Sequence, residues 1–338
     1  MAVMGEGIDA KVPAHYGSPH REQRALMEKG ALVDLSQFEV VTVAGPDRLS
    51  WLHNLTSQHL TGLTAGESTE LLILDVNGRI DNAAAVVDDG DRLFLIVDSG
   101  YGDKLVTFLQ SMKFMLRVDV ELTDLAVIGS MNAPSFDSLA VWRDPWPEIG
   151  PESVAYGPKE NHPGEGHHRF LAVVEADRAP KILEAAERLA GMLAWEAQRI
   201  VDLRPRLGVD VDERSLPHEW DWLRTSVHLD KGCYRGQEAV ARIVNLGRPP
   251  RRAVFIDLDG SVDELPAPGT PIQVGEKQVG TLTSVGRDMD EGPVGLGLVK
   301  RNAPVDAEAL IGSVAARLHT IVTPDGKTER SYERPKLR

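Results

Sequence analysis

The 338-residue chain has a single cysteine, which excludes an internal disulfide and a cysteine cage for a metal. It also lacks any stretch approaching the ~18 uncharged apolar residues that a membrane helix requires. The opening MAVMGEGIDAKVPAHYG has neither a basic start nor an apolar run, so no signal peptide is visible. These absences lead to the expectation of a soluble, cytoplasmic protein. Positive charge is in deficit too. Lys and Arg number 37 against 51 Asp and Glu, a net charge of −14, which argues against wholesale binding to nucleic acid or an anionic membrane.

What is present is ordinary globular composition, with 42% hydrophobic and 26% charged residues. At ~100–200 residues per domain, two or three domains are expected. Residues 1–30 read as an N-terminal extension ending in a short helix, Arg21 to Lys29. An α+β body follows over 31–248. In it, strand Phe38–Val43 precedes a helix opened by Gly45-Pro46-Asp47. Thr69–Val76 and Arg79–Val87 form a hairpin across Asn77-Gly78, a pair suited to positive φ at both turn positions. Arg92–Val97 is a third strand and Gly102–Met112 a helix. The stretch 132–166, rich in Pro, Gly and Trp, reads as an irregular break between two subdomains. His168–Val174 is strand-like, and Ala179–Leu193 reads as one helix continued by Trp195–Asp202. Polar loop is expected from there to residue 231. Beyond Pro249-Pro250, short strands broken by Gly and Pro suggest a β-barrel over 249–323, followed by a charged tail, 324–338.

Against the acidic average, Lys231–Arg252 holds six cations and one acid, Glu238. That suits a small anionic ligand, although on charge alone a solvated face paired with nearby acids is the commoner arrangement. RNA is a weaker reading, because Tyr234 is the one aromatic there for bases to stack on. Cys233 lies in this window, between Gly232 and Tyr234 and close to Lys231 and Arg235. The glycines suit a tight turn, and the cations favour thiolate over thiol. Elsewhere a lone cysteine is ordinarily a small core residue.

The string KGCYRGQE, residues 231–238, resembles the diagnostic motif of the YgfZ group of folate-binding proteins, relatives of the glycine-cleavage T-protein. LVDLSQFEVVTVAGPDRLSWLHNLTSQHLTGL resembles the opening of the T-protein family, and GTPIQVGEKQVGTLTSVG and VGLGLVKR its last domain. The resemblance spans roughly residues 31–320. It implies a T-protein-like multidomain fold: a mixed α/β body around a central tetrahydrofolate cavity, with a small C-terminal β-barrel. It implies further a folate-binding accessory protein that supports iron–sulfur cluster assembly or repair in client proteins, with Cys233 in a redox or transfer role. Lys231, Tyr234, Gln237, Glu238, Asp81, Glu165 and Arg251 are the implied folate contacts. Where the family reads Gly-x-Ile-Asp-Asp, this chain has Gly78-Arg79-Ile80-Asp81-Asn82. An amide cannot deliver a proton as a carboxyl group does, which counts against the alternative, an aminomethyltransferase or demethylase enzyme.

Overall fold

The computed structural model describes residues 2–261 and 264–327, so residues 328–338 of the expected tail lie outside the described part. The N-terminal segment forms a small ribbon, β1 (Val3–Met4) with β2 (Pro13–His15), and helix α1 (Pro19–Glu28). The body then runs β3 (Leu32–Asp34), β4 (Glu39–Ala44), α2 (Arg48–Leu55), β5 (Ser68–Leu74), β6 (Ile80–Asp88), β7 (Arg92–Val97), α3 (Gly102–Met112), β8 (Asp119–Leu122) and β9 (Ala126–Ser130). It continues through β10 (Ala140–Arg143), β11 (Phe170–Val174), α4 (Ala179–Ala185), β12 (Leu189–Ala190), α5 (Met192–Val201), α6 (Leu223–Ser226) and α7 (Gln237–Leu246).

Two five-stranded sheets result, ordered β5-β6-β7-β4-β8 and β10-β11-β9-β3-β12. In the first, Val41, Val43, Leu93 and Leu95 face α2 and α3, sharing a core with Trp51, Leu52, Leu105 and Leu109. The alternate residues Val40, Phe94 and Ile96 face the second sheet, packing with Val33, Val127, Leu171 and Val173. A strand covered on both faces reads as an unbroken apolar run, which is why Arg92–Val97 is so clear in the sequence.

The chain ends in a closed antiparallel barrel of β13 (Arg251–Leu258), β14 (Pro271–Val274), β15 (Lys277–Asp288), β16 (Gly292–Lys300), β17 (Glu308–Ile311) and β18 (Val314–Thr320). Its interior holds Val254, Ile256, Leu282 and Leu318. Phe255, Val294 and Leu296 instead face outward onto Trp220, Leu223 and Val240 of the body. The expected mixed body with a C-terminal barrel is therefore the observed fold.

Four local expectations are corrected. Only Gly78 in the Asn77-Gly78 turn has positive φ (77°); Asp75 accepts from the Asn77 and Arg79 amides and closes a wider turn. The helix expected over 179–193 breaks after Ala185, because Leu189 and Ala190 pair with β3 in parallel and Gly191 is extended at the start of α5. The irregular stretch contains β10, whose short Ala-Val-Trp-Arg run pairs with β11. The supposed polar loop before residue 231 is core: Trp220, Arg224 and Ser226 are fully buried, with the charges of Asp221 and Arg224 paired to each other. Pairing, not composition, makes such burial affordable.

Candidate functional site

Residues 231–236 form a tight loop between the buried 217–227 segment and α7. Gly232 and Gly236 both take left-handed conformations, with φ of 95° and 83°. A Cβ on Gly236 would lie 2.5 Å from the Asp75 carbonyl oxygen, so this glycine lets the loop press onto the β5–β6 turn. Lys231 Nζ donates to the carbonyls of His53 and Thr56 at the end of α2, and His53 Nε2 donates back to the Lys231 carbonyl (2.9 Å). The ammonium also sits 4.8 Å from the centre of the Tyr234 ring. Burial pulls Lys231 down to about 8 and pushes the Tyr234 phenol up. Both anchors are buried, whereas Cys233 between them is exposed. The loop is a fixed mount for a presented thiol.

The implied folate contacts fall into three places. Lys231 and Tyr234 anchor the loop, Gln237 and Glu238 begin α7, and Asp81 joins them through an ion pair with Arg235 (3.6 Å). Glu165 lies apart, exposed in a cleft with Trp146 and His162. Arg251 is on the barrel's first strand, bonded to Asp212 (2.6 Å) and Glu219 (2.8 Å). Asn82 is buried. Its Nδ2 donates to the Tyr101 carbonyl (3.2 Å), and its Oδ1 has no partner among the described residues.

None of these residues lines the central cavity, which opens between the two sheets and has a volume of about 100 Å³. Its walls combine Trp142, Trp195 and Trp222 with Arg169, Arg199, Arg204 and Arg206 and the acids Glu70, Asp98, Asp144 and Glu196. The charges are organised in pairs. Arg204 binds both oxygens of Glu70 (3.1 and 2.5 Å), reaches Asp144 (3.2 Å), and stacks near Trp146 and Trp222. Arg206 joins Asp9, Asp98 and Glu196. Arg199 binds Glu196 and Asp210, and donates to Ser284 Oγ of the barrel (2.7 Å). Burial would raise the Glu196 carboxyl, but Arg199 and Arg206 outweigh it and hold Glu196 at about 2. For Asp144, burial prevails over Arg204 and, helped by Glu70, places it at about 6. The cavity thus holds a carboxyl that can exchange a proton near neutral pH, beside fixed cations and flat apolar walls.

Sequence reasoning did not find this cavity set. Glu196 and Arg199 stand one helical turn apart in the sequence and are bonded (3.0 Å). Arg204-Pro205-Arg206, two arginines flanking a proline in an acidic chain, was a usable signal inside what was expected to be polar loop.

The comparisons with known proteins mark off the barrel where the fold does, at residue 251. Residues 1–130 match the family model of the GCVT N-terminal domain, and residues 251–323 that of the CAF17 C-terminal β-barrel domain. The crystal structure of the glycine cleavage system aminomethyltransferase T from Bartonella henselae superimposes with a TM-score of 0.72, covering 94% of this chain and 93% of that one, at 17% identity. That likeness is one of fold. A putative chloroplastic transferase of Arabidopsis thaliana is 26% identical over 294 residues; the match takes in 80% of this chain and 66% of the plant protein, just under two thirds of its length. The tRNA-modifying protein YgfZ of Vibrio vulnificus is 24% identical, over 76% of this chain and 78% of the relative. That of Vibrio atlanticus is also 24% identical, over 86% and 90%. The resemblance to YgfZ-type proteins and to the T-protein therefore stands. No helix among the described residues is long and apolar enough to cross a membrane.

Proposed function

We propose that the chain is a tetrahydrofolate-binding accessory protein, with the folate in the central cavity and Cys233 as the thiol presented to iron–sulfur client proteins in the cytoplasm. The observation that carries this reading is the mounting of Cys233. Its neighbour Tyr234 is rooted in the same apolar core as Ala83, Leu207 and Trp222, which line the cavity. Occupation of the cavity and the position of the thiol therefore bear on one packed unit. Tryptophan faces suit a pterin ring, the acids Asp144 and Glu70 suit its amide-like edge, and an arginine suits a glutamyl carboxylate. The Asp81–Arg235 pair and the start of α7 flank the thiol and frame the surface a client would meet.

Titration calorimetry with tetrahydrofolate tests the cavity. Saturable binding is expected, and Arg204→Met should weaken it at least tenfold; undiminished binding in that variant would place the folate elsewhere. Cys233→Ala tests the thiol. It should fold and bind tetrahydrofolate normally but fail to restore iron–sulfur enzyme activity in a deletion strain. Full restoration would remove the role given to Cys233.

Aminomethyl transfer is the second reading, favoured by the fold and by Asp81. Buried Asn82, already bonded through its amide, stands against it, and turnover of an aminomethyl donor with tetrahydrofolate in the absence of a client would establish it. The relatives' names raise tRNA. Here Arg251 and Arg252 are engaged by acids and by the carbonyls of Ala303 and Pro304. A gel shift at physiological salt should show no tRNA complex.

A further inference from the structure

Beyond the central cavity and the thiol loop, a second cleft opens between the turn Trp146–Ile149 and the segment 159–168, with about 1180 Å³ of empty space open to solvent. One of its lining residues is unexplained by the fold. His162 is buried, its ring edge-on to Trp146 at 5.5 Å. Nδ1 accepts the Gly164 amide (3.1 Å), so the ring proton is on Nε2, and Nε2 has no partner among the described residues. A desolvated donor left unpaired costs on the order of 1–3 kcal/mol. Burial and the nearby Arg224 guanidinium keep this imidazole neutral, so it is a donor and not a charge.

The charge around the donor is layered. Behind it lies Arg224, 5.2 Å from the centre of the Trp146 ring. Beside it, His167 is held by Asp202 (2.7 Å), which raises the imidazole's affinity for its proton; the same carboxylate also serves Arg169 (3.0 Å). His167 and Arg169 thus share one acid. The rim is acidic on balance, with Glu148, Glu160 and Glu165 exposed there against Lys159. Between them the surface is the apolar face of Pro147 and Ile149.

We propose that this cleft binds a small zwitterion, its carboxylate inward against the His162 Nε2–H and His167, its ammonium outward between Glu160 and Glu165. A purely anionic ligand would meet the acidic rim, and a purely cationic one the donor-lined inner wall. Only a molecule with both ends matches the order of charges from inside to outside, and the Pro147–Ile149 face suits an aliphatic side chain.

Leucine is a suitable probe, with 4-methylpentanoate and 3-methylbutylamine as the analogues lacking one charge. Calorimetry on the full chain should show leucine binding at least about tenfold more tightly than either analogue, the scale of one charge-assisted hydrogen bond. Leucine should also shift the His162 Nε2–H proton resonance. His162→Phe, which keeps the ring against Trp146, should abolish the preference over the amine, and His162→Gln, which restores an N–H donor, should recover part of it. Glu160→Gln with Glu165→Gln should abolish the preference over the carboxylate. Equal binding of all three probes, or an unmoved His162 resonance in the wild-type chain, would overturn the proposal even if His162→Phe fails to fold. Displacement of leucine by tetrahydrofolate would overturn the separation of the two sites.

Discussion

Asn82 and Arg204 show how single side chains set the chemistry. Asn82 occupies the place of an acid in the family pattern, and its amide hydrogen feeds the Tyr101 carbonyl. Asn82→Asp would lose that donor and bury a carboxylate against a carbonyl oxygen. It should cost ~2 kcal/mol of stability at neutral pH, read as a lower urea midpoint, and should not create aminomethyl transfer. A variant as stable as the parent would mean the site already accommodates a proton on that carboxyl. Arg204 holds two acids at once, Glu70 and Asp144. Removing it strands buried charge, so Arg204→Met should lower stability by ~3–5 kcal/mol as well as weakening folate. Comparing binding well below the melting range separates the two effects.

The functional elements are short and depend on partners. The thiol loop is held by the end of α2 through Lys231 and by the β5–β6 turn through Gly236. Gly236→Ala would place a methyl group 2.5 Å from the Asp75 carbonyl oxygen in a left-handed conformation. The loop should then lift from the turn, at a stability cost of ~1–3 kcal/mol. Because Cys233 is the chain's only cysteine, the rate of its alkylation reports the loop alone. That rate should change at least severalfold in Gly236→Ala; an unchanged rate would show that the turn does not position the thiol.

The whole molecule is joined by buried polar links between body and barrel, and a histidine buried in that seam makes it sensitive to acid. Gln23 of α1 donates to Asp288 of β15 (2.6 Å), and Arg199 reaches Ser284 of the same strand. His218 lies wholly buried in the core between body and barrel, bonded only to the Val240 carbonyl (3.3 Å). Burial pushes it down to about 4 from an ordinary 6.5. Between those values the unfolded chain binds the extra proton and the folded one does not. Stability from this group is therefore complete above pH 6.5 and falls as the pH drops toward 4, by at most ~1.4 kcal/mol per unit. Asp144, raised to about 6, acts in the opposite sense and gains stability over part of the same range. Urea midpoints measured from pH 7 to pH 4.5 should fall more steeply in the parent than in His218→Phe. Parallel slopes would show that His218 is not a source of the acid sensitivity.

Much of this protein was legible in one dimension because the deciding forces there are local. The hairpin turn, the doubly covered strand Arg92–Val97, the helix Gly102–Met112 and the broken strands of the barrel all follow from turn chemistry and periodicity. The cysteine motif was legible as a string of unusual neighbours. Distant pairing was not. The burial of 217–227, the small strands β10 and β12, and the arginine–acid lining of the central cavity depend on residues far apart in the chain, as Arg204 and Glu70 are. A charge looks solvent-facing until the partner that permits its burial is in place. The amino-acid order alone determined the kinds of element and the family pattern; only the tertiary structure decided which charges are buried together, because their desolvation is offset solely by partners that folding brings near.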